Sequence, residues 1–345
     1  MSETIVLFGG SLATSYGATE FIDDGAIAFT GDRIEAVGES RDIRNRYAKA
    51  KRLDARGGMI LPGLVNTHHH FYSALARGLD PGVSMTNFSE ILEGLWWRLD
   101  RALDMQAVEV SALLSLADCI RGGCTTVFDH HASPSAISGS LDTICNAVQE
   151  SGLRAMLCYE ISDRNGRREA EAGIEENFNF ILAHHKEHAR VRGMVGLHAS
   201  FTVSDTSLQA IADLRADGIG CHIHMAEDLV DVTLSVEKFD ARPLARLCDH
   251  DLLDEWSLLV HGVHLEEEEL RIIAQSGATL IHNPESNQNN GVGRLDLIAA
   301  AECGCRLALG TDGIQQLRLG GIEIRTVEGN EGLALFDPGT GRVHE

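Results

Sequence analysis

The chain contains sixteen histidines, several of them spaced as metal ligands are. Two pairs have His-x-His spacing, His68 with His70 and His222 with His224, and His261 and Asp312 lie further along. Side chains alternate along a strand, so His68 and His70 face one way and His69 the other; the same reasoning pairs His222 with His224. Imidazoles from two such strands plus the Asp312 carboxylate make a borderline-soft nitrogen and oxygen donor set. It suits Zn²⁺, with Fe²⁺ or Mn²⁺ less favoured.

Something must bring these groups together. After a first segment of short strands, with a hairpin signature at Gly31-Asp32, short apolar runs alternate with amphipathic stretches. Eight runs read as strands: Leu64–His70, Thr125–His130, Arg154–Glu160, Gly193–His198, Ile219–Met225, Ser257–His261, Ala278–Asn283 and Arg306–Asp312. Helical segments are expected at Gln106–Arg121, Arg168–Glu187, Asp205–Ala216, Glu266–Ser276 and Leu295–Glu302. Eight strands alternating with helices predict an α/β fold of the (β/α)8, TIM-like barrel type, with chemistry at the C-terminal strand ends. The open doubly wound sheet is disfavoured, because no G-x-G-x-x-G follows any strand.

Composition narrows the partners. With 29 Lys+Arg against 51 Asp+Glu, the net charge is −22, which disfavours nucleic acid and anionic membrane surfaces. No stretch reaches 18 consecutive apolar residues, and Met1-Ser2-Glu3-Thr4 lacks the basic region of a secretory leader. Eight scattered cysteines form no C-x-x-C pair and read as buried hydrophobes in a reducing cytoplasm. The H-x-E…P-C-x-x-C and H-E-x-x-H zinc signatures are absent.

Single residues also have plainer readings. A lone histidine at a strand end is more often a hydrogen-bonded core residue, and His130, His131, His264 and His282 are read so individually. His184-His185 and His188 read as solvated helix surface, and Trp96-Trp97 as packing in a segment long enough to cover the barrel mouth.

From Met1 to Gly313 the chain resembles the amidohydrolase superfamily. The resemblance rests on Leu61-Pro62-Gly63-Leu64-Val65-Asn66-Thr67-His68-His69-His70, His222-Ile223-His224-Met225-Ala226-Glu227, Val260-His261-Gly262-Val263-His264-Leu265 and Leu309-Gly310-Thr311-Asp312-Gly313. Within it the chain is most similar to the SsnA group of aminohydrolases, through Leu95-Trp96-Trp97-Arg98-Leu99-Asp100-Arg101 and Asp129-His130-His131-Ala132-Ser133-Pro134.

The resemblance implies that His68, His70, His224 and Asp312 hold one metal ion. No lysine lies near His198 to support a second. It makes Glu227 the acid and base serving a ring nitrogen, and His261 the residue orienting and polarising hydroxide. Asp312 takes the proton of a water whose pKa the ion brings from 15.7 toward about 7. His198, Ser286 and Asn287 are candidates for reading the ring's polar edge. The implied activity is hydrolytic deamination of an aminated heterocycle of purine, pterin or triazine type, by a homo-oligomer in the cytoplasm. Opening of a cyclic amide is the enzymatic alternative, and a non-catalytic oligomer subunit the other.

The resemblance also implies a small β-sandwich begun by residues 1–60, a barrel over 61–313, and sandwich strands after it. Residues 314–345 are too few for an eighth helix followed by a full set of strands. Ile314–Leu319 is too short for the helix, and the glycine-rich remainder reads as strand and turn. The wall beside the first and eighth strands is therefore expected to be thin.

Overall fold

The computed structural model describes residues 3–14, 21–186, 189–313, 324–326 and 333–336. Two sheets organise them. The smaller contains β1 (Thr4–Ala13), β2 (Phe21–Thr30), β3 (Arg33–Glu39), β4 (Lys51–Asp54) and β5 (Met59–Pro62). β1 and β2 pair antiparallel, as do β2 and β3, so the expected hairpin forms. β1 pairs β4 through Ile5–Phe8 and β5 through Ser11–Leu12. The register shifts on either side of Gly10, between Phe8 and Gly10 and between Gly10 and Leu12, lie between these pairings. Leu7, Leu12, Ile27, Phe29, Ala55 and Ile60 fill one core of this unit.

The larger sheet is the barrel. Its parallel strands are β6 (Leu64–His69), β7 (Cys124–His131), β8 (Arg154–Ile161) with the short β9 (Val191–Gly193) beside it, β10 (Val195–Ala199), β11 (Cys221–Met225), β12 (Leu258–His261), β13 (Thr279–His282) and β14 (Arg306–Leu309). Every residue of β10 and β11 is buried, as a parallel strand between barrel interior and helices requires. Helices at Met105–Arg121, Arg167–His184, Asp205–Leu214, Glu267–Ser276 and Leu297–Glu302 occupy the expected intervals. Those at Ser140–Ser151, Leu229–Phe239 and Pro243–Asp249 were not anticipated. Residue 187, the expected end of the second helix, lies outside the described residues, as does His188. His184, expected to be solvated, lies 2.9 Å from Asp142.

β14 is shorter than its sequence suggested. It ends at Leu309, and the chain reaches β6 through a single bridge between His69 and Asp312. Backbone N–H groups of Thr311 and Asp312 donate to His68 O, and His70 N–H donates to Asp312 O. Asn66 Nδ2 donates to Thr311 Oγ1 at 2.8 Å. Gly310 permits this approach, since a Cβ there would meet Asn283 Oδ1 at 2.4 Å and His68 Cβ at 2.9 Å. These contacts close the barrel.

Leu307 and Leu309, on β14, are 39% and 59% exposed, and Ile298 on the neighbouring helix is 72% exposed. Of the final segment, β15 (Ile324–Thr326) and β16 (Leu333–Phe336) are described. β16 pairs β5 antiparallel and β15 pairs β16, extending the small sheet to seven strands. The remainder of 314–345 lies outside the described residues.

Candidate active site

The barrel's C-terminal rim draws the predicted residues together. His68 and His70 come from the end of β6, His224 from β11, His261 from β12, and Asp312 from the turn after β14. Ligand atoms of His68, His224, His261 and Asp312 all lie within 4.8 Å of one another. Asp312 Oδ1 is 2.9 Å from His68 Nε2 and 3.2 Å from His70 Nε2. Three non-glycine residues turn left-handed at this rim: Ala226 at φ 47°, His261 at 75° and Asp312 at 62°. Such conformations cost on the order of 1–3 kcal/mol each and persist where the surroundings hold them. Asp231 braces the first, its Oδ2 accepting the Ala226 N–H at 2.8 Å.

Hydrogen bonds fix which ring nitrogens are bare. His70 Nδ1 donates to His130 O at 2.5 Å, and His224 Nδ1 donates to His198 O at 2.7 Å. A carbonyl only accepts, so each Nδ1 carries a proton, and in the neutral ring Nε2 is left with a lone pair. These two Nε2 atoms lie 3.2 Å apart. His261 Nδ1 likewise donates to Asn287 Oδ1 at 2.7 Å, and its buried Nε2 makes no hydrogen bond. His68 Nδ1 lies 2.8 Å from His222 Nε2, and a proton on that Nδ1 leaves Nε2 of His68 bare as well. Converging lone pairs beside a carboxylate repel one another unless a cation sits among them. The donor set therefore fits a divalent metal ion.

The titration tendencies agree. Burial pushes His68 and His224 well below the usual imidazole range. Burial also works against a charged His70, but hydrogen bonding and charge attraction from Asp312 raise it to about 9. A positive charge, whether proton or metal ion, is what this cluster surrounds. Burial would raise Asp312, but hydrogen bonds from His68 and His70 prevail and hold it well below the usual carboxylate range. Glu227 goes the opposite way, because burial and the adjacent Asp312 charge raise it well above that range. Two carboxyls in one site thus separate into an acid and a base.

Glu227 Oε2 lies 3.4 Å from His261 Nε2, and Asn290 Nδ2 donates to Glu227 Oε1 at 3.4 Å. Ser286 Oγ donates to Asp312 Oδ2 at 2.5 Å. Ser286 and Asn287 thus touch Asp312 and His261, and neither lines the cavity above them. His198 does line it. Its Nδ1 lies 2.7 Å from Thr202 Oγ1, and burial lowers its pKa to about 4. His222 sits beneath the rim, and His130 Nε2 donates to Leu197 O and His222 O, the structural role expected of it.

The cavity above these residues has a volume of about 60 Å³ and opens to solvent. Trp96, Trp97, Phe88, Leu92 and Phe201 form its apolar wall, so the tryptophans do more than pack. Its polar wall includes two residues that sequence reasoning missed, Glu160 and Arg164. Burial would raise Glu160, but the charges of His198, His130 and Arg164 hold it well below the usual carboxylate range. The ending of β8 at Glu160-Ile161, on the functional rim, was the available signal.

A closed barrel with imidazoles and carboxyls converging on one cation position defines a hydrolase of the metal-dependent barrel class. The amidohydrolase family pattern matches residues 59–335, and the chain belongs to that family. It is 27% identical over 341 residues to a 5-methylthioadenosine/S-adenosylhomocysteine deaminase of Symbiobacterium thermophilum, covering 95% of this chain and 76% of that protein. The protein of the same name from Nitratidesulfovibrio vulgaris is 32% identical, with 89% and 68% covered. An 8-oxoguanine deaminase of Pseudomonas aeruginosa is 30% identical, with 84% and 67% covered. Among solved structures, an adenosine deaminase from Xanthomonas campestris with bound zinc superposes with a TM-score of 0.79 at 25% identity, covering 91% and 70%. The chain is a hydrolase acting on carbon–nitrogen bonds other than peptide bonds.

Proposed function

We propose that the protein is a metal-dependent deaminase that replaces the amino group of a small aminated heterocycle, of purine, pterin or triazine type, with oxygen and releases ammonia. The observation that carries this reading is the convergence of Nε2 of His70 and Nε2 of His224, 3.2 Å apart, on Asp312, with Glu227 pushed well above the usual carboxylate range beside them. His68, His70, His224 and Asp312 would hold one divalent ion, zinc first, as the nitrogen and oxygen donors favour. Bound there, the ion supplies Lewis acidity that makes hydroxide available near neutral pH.

The chain's own residues supply the rest. Glu227, held neutral by burial, gives its proton to a ring nitrogen and makes the adjacent carbon electrophilic. His261, fixed by Asn287, turns Nε2 toward the attacking oxygen and polarises it. Asp312, oriented by Ser286, accepts the proton that water loses. The carbon–oxygen bond forms, the carbon–nitrogen bond breaks, and the departing amine takes the proton as ammonia. His198 borders the ring from the β10 side. Residues 61–313 would be the catalytic domain, and residues 1–60 with the final strands the small one.

The eight cysteines, all free thiols, favour the reducing cytoplasm, and a homo-oligomer is the expected assembly. Among the described residues no helix is long and apolar enough to cross a membrane. Elemental analysis of the purified protein, coupled to an ammonia-release screen over purines, pterins and triazines, tests the reading. A protein that cannot be loaded with metal and releases no ammonia would refute it.

A further inference from the structure

Glu160 is a buried carboxylate whose partners are all too distant for strong hydrogen bonds. Its side chain is 3% exposed. The nearest positive or potentially positive groups are His130 Nδ1 at 3.4 Å, Arg164 Nη1 at 3.7 Å and His198 Nε2 at 4.0 Å. Good hydrogen bonds to a carboxylate lie near 2.7–2.9 Å, and an ionised one offers about four acceptor positions. A buried carboxylate left in this condition is costly unless something else completes it. Its place in the cavity wall says where that something would come from.

Arg164 is the complementary half. It follows four residues after Glu160, pairs with Asp100, and stacks with its guanidinium 5.1 Å from the Trp97 ring centroid. Its Nε is buried with no hydrogen-bond partner. The loop carrying it is anchored, since Asp163 accepts the Ser204 N–H at 2.7 Å and the Ser207 hydroxyl at 3.1 Å. The cavity wall therefore presents an acceptor and a planar donor side by side, on a rigid support.

We propose that Glu160 and Arg164 read a cyclic N–H/C=O edge, a lactam or cyclic urea, of the heterocycle. The ring N–H donates to Glu160 and the carbonyl accepts from Arg164. The preferred substrate is then an oxo-substituted aminoheterocycle free at that nitrogen, such as an 8-oxopurine base, and ring systems carrying a sugar or alkyl group there are rejected. This rests on the deaminase reading, and narrows it. A site built to accept a substrate N–H discriminates strongly against analogues lacking it, because its own polar group is left unpaired.

The test is equilibrium binding to the zinc-loaded Glu227→Gln protein, followed by Trp96 and Trp97 fluorescence, with 8-oxoguanine and its 7-methyl and 9-methyl derivatives as probes. At least one N-methylation is expected to weaken binding by about 100-fold or more. Adding Glu160→Ala should weaken 8-oxoguanine by a similar factor and shrink the methylation penalty to about threefold or less, with zinc content unchanged. The isosteric Glu160→Gln, which guards against a folding defect in the alanine variant, should lose about tenfold toward 8-oxoguanine. Arg164→Lys should weaken 8-oxoguanine about tenfold while keeping the methylation penalty, because the charge survives but the planar fork does not. Equal binding of all three probes overturns the proposal, as does a methylation penalty that persists without Glu160 or a loss of zinc on its replacement. If the wild-type protein releases ammonia from other heterocycles, such an outcome overturns this recognition alone; if no heterocycle binds or reacts, both readings fall.

Discussion

Nε2 of His70 and Nε2 of His224 face each other at 3.2 Å, while the Nδ1 of each ring donates to a backbone carbonyl. Neither ring can relieve the contact by changing tautomer, since its other nitrogen is already committed. The contact is satisfied by a positive charge at this point, a proton on His70, which Asp312 raises to about 9, or a metal ion in its place.

The first expectation concerns that cation. Purified protein should contain about one equivalent of zinc or iron, and acidification below about pH 6 should release it as protons compete for the imidazoles. Stripping with a chelator should lower the thermal midpoint by about 5–10 °C, the scale of losing a saturating ligand in a protein of this size. Elemental analysis across a pH series with scanning calorimetry measures both. An unchanged midpoint after stripping would mean that the rim histidines are held without a metal.

The second concerns the proton. Glu227→Gln retains the shape and the Asn290 contact but has no acidic proton to give. Its kcat should fall by about 10²–10⁴-fold with metal content intact. Turnover within threefold of wild type would place the proton donor elsewhere.

The third concerns pH. Beneath the rim, Asp129 Oδ1 accepts the Phe71 N–H at 2.7 Å, and burial pushes its carboxyl up to about 7. An unfolded aspartate titrates near 3.9, so the folded state binds more protons between about pH 4 and 7. The group's contribution to stability is therefore complete below about pH 4 and lost as pH rises through 7. Asp129→Asn keeps the acceptor and has no charge to bury. Relative to wild type, it should gain about 1 kcal/mol or more between pH 5 and 8, read by denaturant unfolding of the metal-saturated proteins. A pH-independent difference would show that Asp129 does not titrate in that range.

The fourth concerns the barrel wall. Leu309 is 59% exposed on β14, whereas Leu259, on β12, is fully buried. Leu309→Thr should change stability by about 0.5 kcal/mol or less, and Leu259→Ala should cost about 2–5 kcal/mol. Comparable losses in urea titrations would mean that the outer face of β14 is covered in solution.

Taken alone, the order of residues determined the barrel, the rim and six of its groups: His68, His70, His224, Glu227, His261 and Asp312. Alternation along a strand is local, and strand ends are marked by where apolar runs stop, so both can be read without three-dimensional information. Only the tertiary structure decided what the neighbours do. Ser286 and Asn287 were expected at the ring's edge, but the short helix Pro284–Asn290 after β13 directs them to Asp312 and His261. β14 stops early because Asp312 turns left-handed to reach β6, a contact across 244 residues of chain. Glu160 and Arg164 had only their place at the end of β8 to mark them, since a carboxylate near an arginine is ordinary on any surface. Their meaning comes from burial, which strands from other parts of the chain impose and which removes the water that would otherwise satisfy them.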